Sequence, residues 1–211
     1  TCFDGSVNLP RLTDRTDPPA DCASVDNEIP SGVPLGGAYV WKVYAAFPTT
    51  GSPRLKALVL GSEFPSSIVI VIAGLPDPSG DFEIGQDGWP YESGGGVGIS
   101  FGVVKTATIS EVYWLAGYDY DGTSAMWRTT PHPVGETVFA DDSIPALTDV
   151  IAGFSSIGFG VPGETICPAE PEVPAACCLP DESCVLLTEI RCVELGGRFM
   201  GEGSVCVPNL C

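Results

Sequence analysis

The chain has 211 residues, of which 44% are hydrophobic and only 17% charged, and its 27 acidic and 9 basic side chains leave a formal net charge of −18. That balance excludes nucleic acid as a partner, because phosphate binding needs clustered Lys and Arg. No apolar run reaches the length of a membrane helix; the longest, "SSIVIVIAGL", has the length of a buried strand, so no membrane insertion is expected.

Residues 1–37 read as an extended N-terminal arm. "RLTDRTDPPADCASVDNEIPSGVPLGG" is dense in Pro, Asp, Ser and Gly and follows neither a helical nor a strand period. The chain starts at Thr1 with no methionine, basic segment or apolar core of a leader, as an exported chain looks after its leader is removed. Such an arm has little apolar surface to offset its ordering entropy, of about 1–2 kcal/mol per residue. Two readings follow: the arm lies on a neighbouring subunit, or it folds back on its own body. For the first, Val7, Leu9, Val33 and Leu35 are the candidate anchors, and removing the arm is expected to leave a folded monomer that no longer assembles.

Residues 38–167 change to short β-rich runs separated by Gly, Pro, Ser and Asp. "AYVWKVYAAF" alternates, with Tyr39, Trp41, Val43, Ala45 and Phe47 on one face. "RLKALVLG", Ile68 to Ala73, "GDFEIG", "VGISFGVV", "TISEVYWLAGY", "SAMWRTT", "ETVFA" and "DVIAGFSSIGFG" follow in order. Strands at this spacing predict an all-β domain, an antiparallel β-sandwich of jelly-roll or Ig-like type. Residues 168–176 read as a Pro-rich linker on a polyproline path.

Residues 177–211 hold six of the nine cysteines: Cys177, Cys178, Cys184, Cys192, Cys206 and Cys211. Zinc sites prefer two C-x₂₋₄-C pairs, whereas here two cysteines are adjacent, the later gaps are irregular and no histidine is near. Disulfides fit better, since so short a piece cannot bury enough apolar surface to fold alone. The six are expected to pair only among themselves, with Cys177 and Cys178 reaching different partners. Disulfides place the chain in an oxidising compartment. The other three, Cys2, Cys22 and Cys167, allow one bridge, either Cys2–Cys22 or one of these to Cys167, and leave one thiol over. "LTEIRCVELGG" predicts a short helix with Thr188 as N-cap and Gly196 in the left-handed cap.

The pattern A-C-C-x-P-D-x-S-C, then L-T-E-x-x-C, then G-G-x-F-x-G-x-G-x-x-C and a final C resembles a six-cysteine module recurring in exported proteins of environmental bacteria, which carries no assigned activity. Glu182 stands where that pattern usually has glycine. The segments "VYAAFP", "VYWLAGYDY" and "GFG" are loosely similar to domains found beside such modules. Neither resemblance implies a reaction.

Chemistry-bearing residues are sparse. The single histidine, His132, sits between prolines and reads as an exposed loop residue, and "GFSSIG" lacks the G-x-S-x-G spacing of a nucleophile elbow. "SGGGVGIS" matches neither the dinucleotide fingerprint nor the P-loop. "YDYDGT" places Asp119 and Asp121 two apart with Gly122 next, part of a calcium loop's layout. Arg128 occupies the place of the bidentate Glu, so a β-turn is the preferred reading. Among the tryptophans, Trp41 and Trp114 read as core, and Trp89, between Gly88 and Pro90, as the exposed candidate for a sugar platform.

No catalytic residue, cofactor or metal site is expected. The sequence reads as an extracellular structural protein that self-associates into a fibre, filament or surface assembly, its partner being itself. A secreted carbohydrate-binding or adhesive β-sandwich with glycan partners is the alternative, and a secreted acidic hydrolase a weaker one.

Overall fold

The computed structural model describes residues 19–35, 37–169, 174–207 and 210–211. Val7, Leu9 and Cys2 lie outside the described residues. The chain divides into one unit ending at Pro168 and another running from Ala169 to Cys211. No described helix is long and apolar enough to cross a membrane.

The first unit is built from eleven described strands. They are β1 (Glu28–Ile29), β2 (Tyr39–Ala46), β3 (Leu55–Glu63), β4 (Ile68–Gly74), β5 (Phe82–Gly85) and β6 (Gly96–Lys105), followed by β7 (Ile109–Asp119), β8 (Ala125–Thr130), β9 (Val138–Ala140), β10 (Thr148–Val150) and β11 (Ser156–Phe159). One sheet runs β1-β11-β8-β3-β6-β5, with β9 also pairing β3 and β10 pairing β9; the other is β2-β7-β4. The alternation in β2 turns Trp41 and Ala45 into the core, with Val43 and Phe47 packed against it. Trp41 meets Trp127 edge-on at 6.1 Å and Phe159 at 5.6 Å, so one hydrophobic core draws side chains from both sheets. The register of β2 on β7 shifts between Val43 and Tyr44, leaving Val112 as the extra residue of a bulge. The apolar run from Ile68 forms an edge strand and not a central one. Only Ile68 and Ile70 are fully buried there, and a second register shift falls between Ile70 and Ile72.

Of the two readings of the arm, its described part follows the second. Residues 22–32 fold back on their own body. Cys22 is bonded to Cys167, and β1 adds to β11 as a parallel strand. The Asn27 carbonyl accepts from Gly158 N and Gly163 N, while the Asn27 amide donates to the Gly163 carbonyl and to Thr165 Oγ1 at 2.9 Å each. These polar contacts, with the disulfide, replace the apolar surface that the segment lacks. Val33 and Leu35 remain exposed beyond them. The segment expected as one strand, "DVIAGFSSIGFG", is split into β10 and β11.

In the second unit β12 (Ala175–Cys178) lies between β13 (Cys184–Leu187) and β14 (Arg198–Phe199), with α1 (Glu189–Glu194) between the latter two in sequence. The linker reading ran too far, because Ala175 and Ala176 already belong to β12 and are fully buried. The six cysteines pair as Cys177–Cys192, Cys178–Cys211 and Cys184–Cys206. Neighbouring side chains of a strand point to opposite faces, so adjacent Cys177 and Cys178 reach partners on different sides. The eight described cysteines are thus all paired with one another. Thr188 Oγ1 accepts from Arg191 N at the start of α1, and Gly196 takes φ +70° just after its end. Gly197 is equally constrained, because a Cβ there would stand 2.6 Å from Cys177 Sγ.

Two expected outcomes follow from this architecture. Deleting residues 1–34 removes β1 and a disulfide spanning 145 residues, whose loop-closure effect is about 5 kcal/mol in the chain-entropy model. A fall of several degrees in Tm is therefore expected, and an unchanged melting curve would show that the fold-back contributes nothing. Glu182 holds the left-handed conformation at φ +65°, which costs a side-chain-bearing residue about 1–2 kcal/mol. Glu182→Gly should therefore slow amide exchange in β12 and β13; faster exchange would contradict a strained turn.

Candidate functional site

The loop between β5 and β6 forms a cleft of about 460 Å³ lined by Gln86, Asp87, Glu92, Ser93, Gly94 and Gly95. Its backbone is held by short-range bonds. Trp89 N donates to the Gln86 carbonyl, and Tyr91 N and Glu92 N both donate to that of Gly88. Gly88 takes φ +87° and lies directly beneath Glu92, where a Cβ would stand 2.6 Å from the carboxylate. The far wall is tied to β3: Gly94 N donates to the Ser62 carbonyl, Ser62 N to that of Gly95, and Phe64 N to Ser93 Oγ at 2.8 Å. The lining is acidic and amide-bearing, suited to accepting hydrogen bonds from hydroxyl groups.

Trp89 lies under this loop and is half-buried, which corrects its reading as an exposed platform. Its ring packs against the core and covers Gly85, where a Cβ would approach the indole to 2.9 Å. Its Nε1 donates to Tyr113 Oη at 3.1 Å, with ring centroids 5.6 Å apart. Burial, and then the facing Glu83 carboxylate, push the Tyr113 phenol well above its ordinary value. Tyr91, 53% exposed, is the aromatic that the loop does present to solvent. Trp41 and Trp127 are buried. Trp114 is half-buried over Gly74 and donates from Nε1 to the Leu75 carbonyl.

His132 is half-buried against Gly96, whose hypothetical Cβ would stand 2.3 Å from the imidazole Cδ2. Its Nδ1 accepts from Val134 N at 3.1 Å. That contact orders its own loop and engages no nucleophile. The acidic turns are likewise local: Asp142 forms a two-pronged pair with Arg54 at 2.9 and 2.6 Å. Asp141 accepts from Ser143 and Leu147, and these bonds hold its carboxyl below the usual range. Among the described residues no group of three or more His, Cys, Asp or Glu is placed to hold a metal. With every cysteine of the second unit in a disulfide, no thiolate there is free for zinc.

A second surface was not legible in the sequence. Among the described residues β5 is the end strand of its sheet, paired only with β6. Gln86 N bonds the Gly96 carbonyl, so by alternation Ile84 and Phe82 share the bonded positions, and the backbone groups of Glu83 and Gly85 face the open edge. Phe82 is 62% and Ile84 69% exposed on the outer face, beside the small residues Gly98 and Ser100. Glu83 points inward toward Tyr113, and its Oε2 has no hydrogen-bond partner among the described residues.

Tyr113→Phe should destabilise the fold by about 1–3 kcal/mol at pH 7, because it leaves a half-buried indole N–H without its acceptor. The raised phenol contributes stability that is complete below its ordinary value of 10.0 and is lost as pH climbs from there through the higher folded value. Urea titrations of both proteins at pH 7 and above pH 10 should therefore show a smaller alkaline loss in the variant. An equal loss would remove Tyr113 from the alkaline response.

Comparison with protein-family models, with curated proteins and with solved structures finds no match for this chain.

Proposed function

We propose that the chain is an extracellular structural protein, a subunit that self-associates into a fibre, filament or surface assembly. The observation that carries this reading is the edge at β5, where backbone groups without a partner among the described residues sit beside exposed Phe82 and Ile84. An edge of this kind is a template for strand addition. Exposed Val33 and Leu35 offer further apolar contact, and the low fraction of charged residues fits a surface that is covered in use. The four disulfides favour an oxidising compartment outside the cytosol, and secretion extends that reading. In the same proposal the two sheets of the first unit form an antiparallel β-sandwich, supported by their shared core, and the second unit is a six-cysteine module of exported proteins, supported by its closed set of three bridges.

The cleft beside Tyr91 favours a second reading, a carbohydrate-binding or adhesive module. Its Gln86, Asp87 and Glu92 side chains supply acceptors for sugar hydroxyls, and Tyr91 supplies an exposed ring.

Negative-stain microscopy of the purified chain should show polymers. Copies of net charge −18 repel one another, so polymer yield should rise with ionic strength between about 0.01 and 0.15 M as the Debye length shortens from about 30 to 8 Å. Phe82→Glu with Ile84→Lys should give a monomer of unchanged circular dichroism. Polymers retained in that variant would reject β5 as the connector. Monomers at every salt concentration, with glycan-array binding lost in Tyr91→Ala, would favour the second reading.

A further inference from the structure

The stretch "YDYDGT" runs from the end of β7 toward β8 and contains a carboxylate with no partner among the described residues. Asp119 closes β7 and is fully buried. Neither of its carboxylate oxygens has a hydrogen-bond partner among the described residues, and it belongs to none of their ion pairs. Burial of a carboxylate without donors or counter-charge is strongly unfavourable, so buried carboxylates are normally paired or coordinate a metal. Such an orphaned group calls for an explanation in its surroundings.

Those surroundings offer oxygen. Asp121, exposed, follows two residues on. Gly122 at φ +66° and Ser124 at φ +65° turn the backbone so that it re-enters the sheet at buried Ala125. None of the carbonyls from Tyr120 to Ser124 accepts a backbone hydrogen bond outside the strand ladders of the described residues. The returning segment passes close by: Gly32 bridges to Asp119, and its Cα lies 3.8 Å from where a Cβ of Gly122 would stand. The polar side chains and backbone oxygens of this loop include carboxylates, carbonyls and the hydroxyls of Thr123 and Ser124, with no imidazole or thiolate among them.

We propose that Asp119, with Asp121 and loop carbonyls, binds a hard divalent cation, calcium in preference to magnesium, where the β7–β8 loop meets the Ser31–Val33 segment. An all-oxygen set excludes the metals that select nitrogen or sulfur. Two carboxylates completed by backbone oxygens suit the irregular, larger coordination of calcium and not the strict octahedron of magnesium. With so few charged ligands the affinity belongs with extracellular modules, a Kd of about 10⁻⁴–10⁻³ M. The ion fastens the segment that carries exposed Val33 and Leu35 to the body, so calcium governs how these side chains are presented.

The test is thermal unfolding and calorimetric titration of the full chain after EDTA dialysis, with calcium chloride, and with magnesium chloride at equal ionic strength. Calcium should raise Tm saturably and magnesium much less. Asp119→Asn, which keeps the side chain's shape, and Asp121→Asn, at an exposed position, should each weaken calcium binding at least tenfold. Asp149→Asn, exposed on β10, should respond as the parent chain does and so controls for general screening of the acidic surface. Should Asp119→Asn fail to fold, Asp121→Asn alone decides. A parent chain indifferent to 10 mM calcium, or either loop variant with an undiminished response, would overturn the site.

Discussion

Trp41 of the three-stranded sheet meets Trp127 and Phe159 of the larger sheet edge-on, and the remainder of the first unit is arranged around that contact. Aromatic pairs prefer this geometry because the positive rim of one ring faces the negative face of another. Accommodating the Trp41 indole requires space on its own sheet, which Gly117 provides: a Cβ there would stand 3.2 Å from Trp41 Cη2 and only 2.2 Å from the Val69 carbonyl. Phe159 is fully buried at the end of β11, the strand onto which β1 is added. The returning segment therefore helps to close the core at that end, and Cys22–Cys167 fastens it there covalently.

The two ends of the large sheet are managed differently. At one end β1 is short and parallel, and it is fixed by the side chain of Asn27 and by a disulfide. At the other, no described strand pairs the outer edge of β5, whose outer face is apolar and whose inner face carries Glu83. An inward charge is a device by which edge strands limit indiscriminate pairing. Here it lies against a phenol and an indole that are themselves hydrogen-bonded. The adjoining loop places its acidic cleft beside the same strand, so the two candidate functions occupy one region of the first unit.

The second unit follows a different rule of stability. Its buried centre consists of Ala175, Ala176, Cys177, Cys178 and Cys192, too little apolar surface for independent folding. Three bridges supply the constraint instead. They also dictate local chemistry: Gly197 must lack a side chain because sulfur atoms of Cys177 and Cys192 occupy the space. Leu186, Ile190, Val193, Leu195, Val205 and Val207 are exposed, as expected where cross-links and not packing hold the chain together.

Periodicity and covalent chemistry were readable along the chain. Alternation from Tyr39, the β-branched runs separated by turns, Thr188 and Gly196 at the ends of the helix, and the closed even set of six cysteines all depend on neighbours in sequence. The place of Trp41 in the core followed from the same patterns, whereas Trp114, read the same way, is only half-buried, and Trp127 enters the core without having been singled out. Properties that depend on distant residues did not. Whether a proline-rich, polar segment lies on a neighbour or on its own body stays open until Asn27 meets Gly163 and Cys22 meets Cys167, contacts more than 130 residues apart. Trp89 reads as exposed until the loop folds its ring over Gly85, and Asp119 reads as a turn residue until Gly32 crosses it. Whether β5 is interior or terminal depends on strand order, to which no local pattern is sensitive. The sequence by itself determined the strand-rich class and the cross-linking of the six terminal cysteines among themselves, because these depend on local spacing and side-chain chemistry. Only the tertiary structure decided which strand ends the sheet, which tryptophan is covered and which carboxylate is buried without a partner among the described residues, because these depend on what the rest of the chain places beside them.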